Sequence, residues 1–272
     1  MEQAYHLAGY AAALKTKTKR LGFVGSYITP EVVRHINAFT IGAHRVDPSI
    51  VVEVRWVGFW FDTTPNPPPG YVFAETRLTQ ELLATGCDVI AHNVDNGRPV
   101  EAVEKAFSEQ NPVYSVGNDN QDACVKGPKS CIGTSYWNWG PLYVRLLDEM
   151  HKGTWDPKKI VNDNIGLDPT TSIVNFGVQQ SVAGSDVSMQ VATLLGKLAA
   201  PDGVGKAFEG KLCSTGQRMP NCVNDGAKEI TDQELATMCW FVEGVIEKTD
   251  PLDPMSADKA AQVPSPDCQN SL

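Results

Sequence analysis

Short apolar runs alternate with stretches of helical period over the first part of the chain. Residues 21–26 (LGFVGS), 51–60, 88–92 and 113–116 are dense in valine, isoleucine and aromatic side chains with little polar alternation. That pattern predicts strands covered on both faces. Residues 2–16, 30–45, 75–85 and 99–107 predict helices, the second from Val33, Ile36, Phe39, Ile41 and Ala43, which mostly keep a helical period. Pro30 opens that helix at a position where its missing N–H is not needed, with Glu31 behind it at the positive end of the helix dipole. The 2–16 segment is alanine-rich and ends in lysines, which suit a helix C-terminus. The resulting order, strand and helix alternating through residue 116, predicts an α/β fold with a parallel sheet between helices.

Two segments break the pattern. TTPNPPPG at 63–70 predicts an exposed, stiff loop, because proline fixes φ and removes donors. Beyond 116 the regularity fades. Residues 118–130 predict a polar loop and 139–150 a helix, and 154–182 hold short strands of which 172–176 is the clearest. A helix is expected at 187–199, an irregular Gly/Cys loop at 208–228 and a last helix at 232–246. The tail 249–272 is rich in Pro, Ser, Asp and Ala and is expected to fray. No internal repeat is visible.

Composition narrows the classes of function. The 272 residues carry 32 acidic and 23 basic side chains, a formal charge of -9, which disfavours nucleic acid and anionic lipid as partners. No run reaches the roughly 18 to 20 apolar residues a membrane span requires. Residues 1–14 do not read as a signal peptide, so the expected location is cytoplasmic if Met1 is the true start and extracytoplasmic if the native N-terminus lies upstream. Of seven cysteines, Cys124/Cys131 and Cys213/Cys222 sit in loop-like sequence, either as local disulfides in an oxidising compartment or as free thiols. Cys87, opening an apolar strand, is expected to be unpaired.

The common catalytic signatures are absent: no H-E-x-x-H, P-loop, G-x-S-x-G elbow or kinase loop, and no metal or cofactor is indicated. Gly22 to Gly25 lacks the three-glycine dinucleotide pattern and reads as a tight strand-to-helix turn. Asn118, Asn120 and Asp122 alternate like calcium ligands without the glycine and glutamate that such a loop needs. Polar residues at strand ends carry more. In open α/β sheets ligands bind beyond the carboxyl ends of the strands. Trp60 and Asp62 end the second strand, Asn93 and Asp95 follow the third, and Asn118 and Asp119 follow the fourth. An aromatic face beside several acceptors suits a planar, hydrogen-bonding solute such as a base with a sugar, and suits a phosphate badly. Each has a structural alternative: Trp60 as an edge aromatic, Asp62 and Asp119 as caps, Asp95 as part of an ordinary turn. Trp137 and Trp139 bracket Asn138 and form either a second aromatic wall or a packed helix start. His6, His35, His44, His92 and His151 show no ligand spacing and read as solvated or satisfied.

Several linked segments in order carry a resemblance: TKTKRLGFVGSYITPEVVRHINAFTIGAHRVDPSIVVEV, GFWFD, GCDVIAHNVDNGRPVEA, VYSVGNDN and SYWNWGPLYVRLLDEMHKGTW, with ITDQELATMCWFVEGV more weakly. The chain resembles the basic membrane protein (BMP), or PnrA-like, family of ABC-transporter solute-binding lipoproteins. The resemblance implies a type I periplasmic-binding fold with two α/β lobes. On that basis 20–116 is expected to be a complete lobe two, 1–19 a helix of an incomplete lobe one, and 117–248 the crossover and the remainder of lobe one. It implies binding of a purine nucleoside without chemistry, for import through an ABC permease, by a membrane-anchored protein outside the cytoplasm. It puts a stacking aromatic on Trp60, a ribose-binding carboxylate on Asp119, and Asn93 and Asp95 in the cleft. Trp137 stands where many relatives have lysine, which removes a cation. The loop 63–70 follows the site aromatic as an insertion placed to wall the cleft. The resemblance implies a long further segment before the point matching residue 2 in relatives, so the first lobe is expected to be incomplete in this sequence, with strand edges exposed. The alternatives are a remnant acting through protein contacts and a nucleoside hydrolase, which needs a general base and a water or phosphate site.

Overall fold

The computed structural model describes residues 1–158, 165–200, 207, 208, 212, 213, 230–247 and 268. The elements run α1 (Glu2–Lys15), β1 (Arg20–Gly25), α2 (Pro30–His44), β2 (Val51–Trp56), α3 (Ala74–Ala84), β3 (Val89–His92), α4 (Arg98–Ala106) and β4 (Tyr114–Asp119). After a 3-10 turn at Ala123–Lys126 come β5 (Cys131–Trp137), α5 (Trp139–His151), β6 (Val174–Val178), α6 (Gln180–Ala183), α7 (Ser185–Leu198), α8 (Asp232–Ala236) and β7 (Val245–Glu247). The strands form one sheet in the order β6-β5-β4-β3-β1-β2-β7. All neighbours are parallel except β6, which runs antiparallel to β5.

The expected helices and strands through residue 116 are present, with three differences in the wider chain. The strand expected over 51–60 ends at Trp56, because Gly58 takes a left-handed φ of 88° and turns the chain away. β5 is an added strand. Its sequence, CIGTSYW, lacks the Val/Ile density of the others, yet six of its seven residues are buried. The helix expected over 232–246 stops at Ala236. A capping box of Thr231 and Glu234 starts it, but the following backbone is claimed by the buried amide of Asn37. Asn37 donates from Nδ2 to the Trp240 carbonyl (2.8 Å) and accepts at Oδ1 from Val242 N–H (3.0 Å), which favours extended chain leading into β7.

The sheet separates two apolar layers. Val24, Ile90 and Val113 pack with Leu78, Leu82 and Val103 on the α3/α4 side. Phe23, Val52, Val54 and Ile132 face the larger layer with α1, α2 and α7. The small residues of α1 have a purpose there. A Cβ at Gly9 would sit 1.8 Å from the Phe39 carbonyl oxygen, and one at Gly42 would sit 2.0 Å from the His6 carbonyl oxygen. Two helix backbones can approach that closely only through glycine. Thus α1 packs in one body with the sheet, where it positions Tyr5 beneath the strand ends.

Cys124 and Cys131 form a disulfide, as anticipated, and Cys87 is free and buried. A second disulfide, Cys239–Cys268, ties a residue of the tail to the chain before β7. Cys222, and with it the Cys213–Cys222 pairing, lies outside the described residues, as do most of the 208–228 loop and the 249–272 tail. Among the described helices no segment is long and apolar enough to cross a membrane. α5 buries none of its residues, and Trp139, Tyr143, Val144, Leu147 and Met150 are all exposed.

Candidate functional site

Because β1 to β5 are parallel, their carboxyl ends share one rim, and a cavity of about 280 Å³ opens there. In the spatial order of the strands its lining reads Trp60 after β2, Glu31 and His35 from α2 after β1, Asn93 and Asp95 after β3, Asn118 and Asp119 from β4, and Trp137 ending β5. The structure therefore brings together five of the six residues expected at the site: Trp60, Asn93, Asp95, Asp119 and Trp137. It leaves Asp62 out. The Asp62 carboxylate accepts from Thr64 N–H and Oγ1, Tyr71 Oη and Ala74 N–H. Burial opposes ionisation of Asp62, but these hydrogen bonds outweigh it and hold the carboxyl down to about 2. Asp62 folds the proline loop back on itself, and no residue of 63–70 lines the cavity.

Backbone and buried side chains fix the rim. Asn93 accepts at Oδ1 from Ser26 N–H (3.0 Å), bridging the ends of β1 and β3. Asp95 N–H donates to the Trp60 carbonyl (3.0 Å), which ties the stacking candidate to the acid candidate. Glu75, fully buried at the start of α3, secures both loops. It accepts from Asp62 N–H (2.6 Å) and from Asn96 Nδ2 (2.8 Å), with Arg98 Nη1 3.5 Å away. Trp60, 43% exposed, is thereby held at the cavity by loops that the buried Glu75 anchors.

Three carboxylates line this space, and among the described residues no lysine or arginine does. Asp119 ends β4 in a left-handed conformation, φ 60°, which aspartate tolerates better than most residues. Burial raises its pKa, the charges of Asp95 and Glu31 raise it further, and a hydrogen bond from Asn118 opposes them; the net is about 6. Asp95 is also raised, by burial. Like charges around a partly desolvated space are relieved by hydroxyl or N–H donors and are made worse by an anion. Among the described residues no three His, Cys, Asp or Glu side chains are arranged to hold a metal ion.

Trp137 lines the cavity and stacks on Trp139, with centroids 4.7 Å apart and planes 15° apart. Trp139 does not line it, and stacks onward against Tyr143. Two lining residues, Glu31 and His35, were not among the sequence candidates. They sit four apart on α2, so both face the same side over the strand ends. A polar pair at that spacing in an otherwise apolar helix stripe was the available signal. His35 is 6% exposed and stacks on Tyr5 at 4.5 Å. The Tyr5 hydroxyl is in turn bonded to the His92 carbonyl and Asn118 Oδ1. Burial depresses the His35 pKa to about 3, so its ring is neutral at physiological pH.

An open α/β sheet with a polar, aromatic-edged cavity beyond its strand ends defines a small-molecule binding protein. The chain belongs to the PnrA-like family of ABC transporter substrate-binding proteins, whose family model matches residues 1–194. That family is one of binding proteins, not enzymes. Over 151 residues the chain is 34% identical to a Haloferax volcanii protein named as a putative ABC transporter glucose-binding protein, matching 56% of this chain and 35% of that one. Over 159 residues it is 30% identical to a purine-binding protein of Brucella abortus, with 57% and 40% covered. An ABC transporter solute-binding protein from Conexibacter woesei has a similar structure, TM-score 0.54 at 19% identity, over 73% of this chain and 61% of that one. These likenesses give the fold as type I periplasmic-binding-protein-like, with a mixed sheet. The chain spans well under half the length of the two sequence relatives.

Proposed function

We propose that this chain supplies the ligand cavity of an ABC-importer solute receptor and that the cavity holds a purine nucleoside. The observation that carries this is the order of groups along the rim: a tryptophan at each end, Trp60 and Trp137, with the carboxylate acceptors Glu31, Asp95 and Asp119 between them and no cation among the described lining residues. A heterocycle stacks on Trp60, and ribose hydroxyls donate to Asp119 and Asp95. Three carboxylates with no lysine or arginine among the described lining residues disfavour nucleotides, whose phosphates bring like charge. The name of the Brucella relative supports a purine, and the family supports a permease as partner.

The lobe assignment belongs to the same proposal. The division expected from the resemblance places 20–116 in lobe two and 1–19 and 117–248 in lobe one. Because α1 and β5 to β7 share the sheet-centred body with 20–116, we take that whole body as lobe two, and α5, with its uncovered Tyr143, Val144 and Leu147, as the part of this chain against which lobe one packs. Cys124–Cys131 and Cys239–Cys268 support work in an oxidising compartment outside the cytoplasm, where the family's lipoproteins are anchored.

A hexose is the second reading. A pyranose also stacks on tryptophan and donates hydroxyls to carboxylates, and the Haloferax relative is named for glucose. Isothermal titration of the chain with inosine, adenosine, guanosine, glucose and inosine monophosphate separates the two. The nucleoside reading expects heat from at least one purine nucleoside, none from the monophosphate, and loss of binding in Trp60→Ala and Asp119→Ala. Heat from glucose alone assigns the hexose. Silence from every solute overturns both.

A further inference from the structure

We infer that His35 contacts the ligand directly and reads the edge of the heterocycle that stacks on Trp60. The inference rests on the nucleoside reading above and adds a specificity-determining residue to it. Both ring nitrogens of His35 are buried, and neither has a hydrogen-bond partner in the described structure. The Glu31 carboxylate is close, but its Oε1 lies 4.0 Å from Nε2, beyond hydrogen-bond reach. A buried donor and acceptor left unmatched are costly, and native proteins rarely leave them so without a reason. Among the described residues none bonds these nitrogens, and His35 lines the cavity, so a bound solute is placed to supply the missing bonds.

The fold holds this imidazole in place with care for its plane. Tyr5 stacks on it at an interplanar angle of 19° and is itself pinned by two hydrogen bonds. Packing alone does not call for nitrogen atoms at this position, since phenylalanine would stack on Tyr5 equally well. A neutral imidazole offers one N–H donor and one bare nitrogen acceptor. That makes it unlike every other ionisable group in the lining, which are carboxylates. Its place along the rim follows from the strand order: α2 leaves β1, and β1 lies between β2, which leads to Trp60, and β3, which leads to Asp95. A ring on Trp60 whose sugar reaches Asp95 and Asp119 therefore passes beside His35. Heterocycle edges carry the ring nitrogens and carbonyl or amino groups that match such a donor and acceptor, whereas a ribose has hydroxyls that the carboxylates already serve.

The test combines variants with a direct signal from the ring. His35→Phe keeps the stack on Tyr5 and removes both nitrogens, and His35→Gln restores a donor and an acceptor. Inosine should bind about five- to tenfold more weakly to His35→Phe, the loss of one neutral hydrogen bond, at a ligand-free melting temperature that is not lowered, with part of the binding recovered in His35→Gln. In the wild-type chain, saturating inosine should shift the imidazole ¹⁵N resonances of His35, assigned by their absence from the His35→Gln spectrum. Unchanged affinity in His35→Phe with unmoved ¹⁵N resonances, while Asp119→Ala still abolishes binding, overturns the role of His35 and leaves the nucleoside reading intact. If His35→Phe does not fold, the wild-type ¹⁵N result decides alone. A wild-type chain that binds no nucleoside overturns both.

Discussion

Replacing Asp95 with asparagine removes one of the two charges that raise the Asp119 carboxyl to about 6, the other being Glu31. If ribose hydroxyls donate to ionised Asp119, a proton on that group competes with the ligand. The apparent Kd then scales as 1 + 10^(pKa − pH). With a pKa of about 6 the factor is about 1.1 at pH 7 and about 11 at pH 5, so wild-type affinity should fall about tenfold between them. In Asp95→Asn the midpoint should move to lower pH and the loss at pH 5 should shrink. Asp119→Asn should bind weakly and without this pH dependence.

The ligand-free protein should respond in the opposite sense. A carboxyl raised in the fold above its ordinary 3.8 takes up a proton on folding between about 4 and 6, so acidification across that window stabilises the native state relative to Asp119→Asn. Titration calorimetry with inosine from pH 5 to 7.5 at fixed ionic strength reads the first effect, and melting temperatures without ligand read the second. Salt must be fixed because a charge pair at an open cavity is screened. A flat Kd across the range, or a midpoint unmoved in Asp95→Asn, refutes the assignment of Asp119 as the sugar acceptor.

The other predictions concern stacking and scaffold. Trp60→Ala should weaken nucleoside binding by about 1–3 kcal/mol, the usual worth of a base on an aromatic face, and leave the melting temperature in place because the ring is half exposed. Gly9→Ala puts a methyl against backbone that cannot move aside, so chemical denaturation should show a loss at or above about 3 kcal/mol, the upper end of core overpacking. Cys131→Ser opens the short loop next to Asp119 and should cost about 2–3 kcal/mol in the same assay.

The regular part of the fold was legible because its strands are apolar on both faces and its helices keep their period. β5 was not, because Gly133, Thr134 and Ser135 dilute its apolar signal while the layers on either side bury it all the same. The short α8 and the strand after it depended on Asn37, a buried amide some two hundred positions away, and local pattern carries no trace of such a partner. Looking just past strand ends found Trp60, Asn93, Asp95 and Asp119, since parallel strands must share a rim. The same rule admitted Asp62, whose carboxylate the neighbouring loop consumes. It passed over Glu31 and His35, which reach the rim from the first turns of α2 and not from a strand end.

Thermal melting of the 272-residue chain against purine nucleosides, their monophosphates and glucose bears most directly on the cavity as a nucleoside site. Ligand that binds only the native state raises its stability by mass action, about 2.7 kcal/mol at a hundredfold excess over Kd. A dose-dependent rise with a purine nucleoside is the expected result, absent with its monophosphate and absent in Trp60→Ala and Asp119→Ala. A cooperative melt that no nucleoside moves contradicts it.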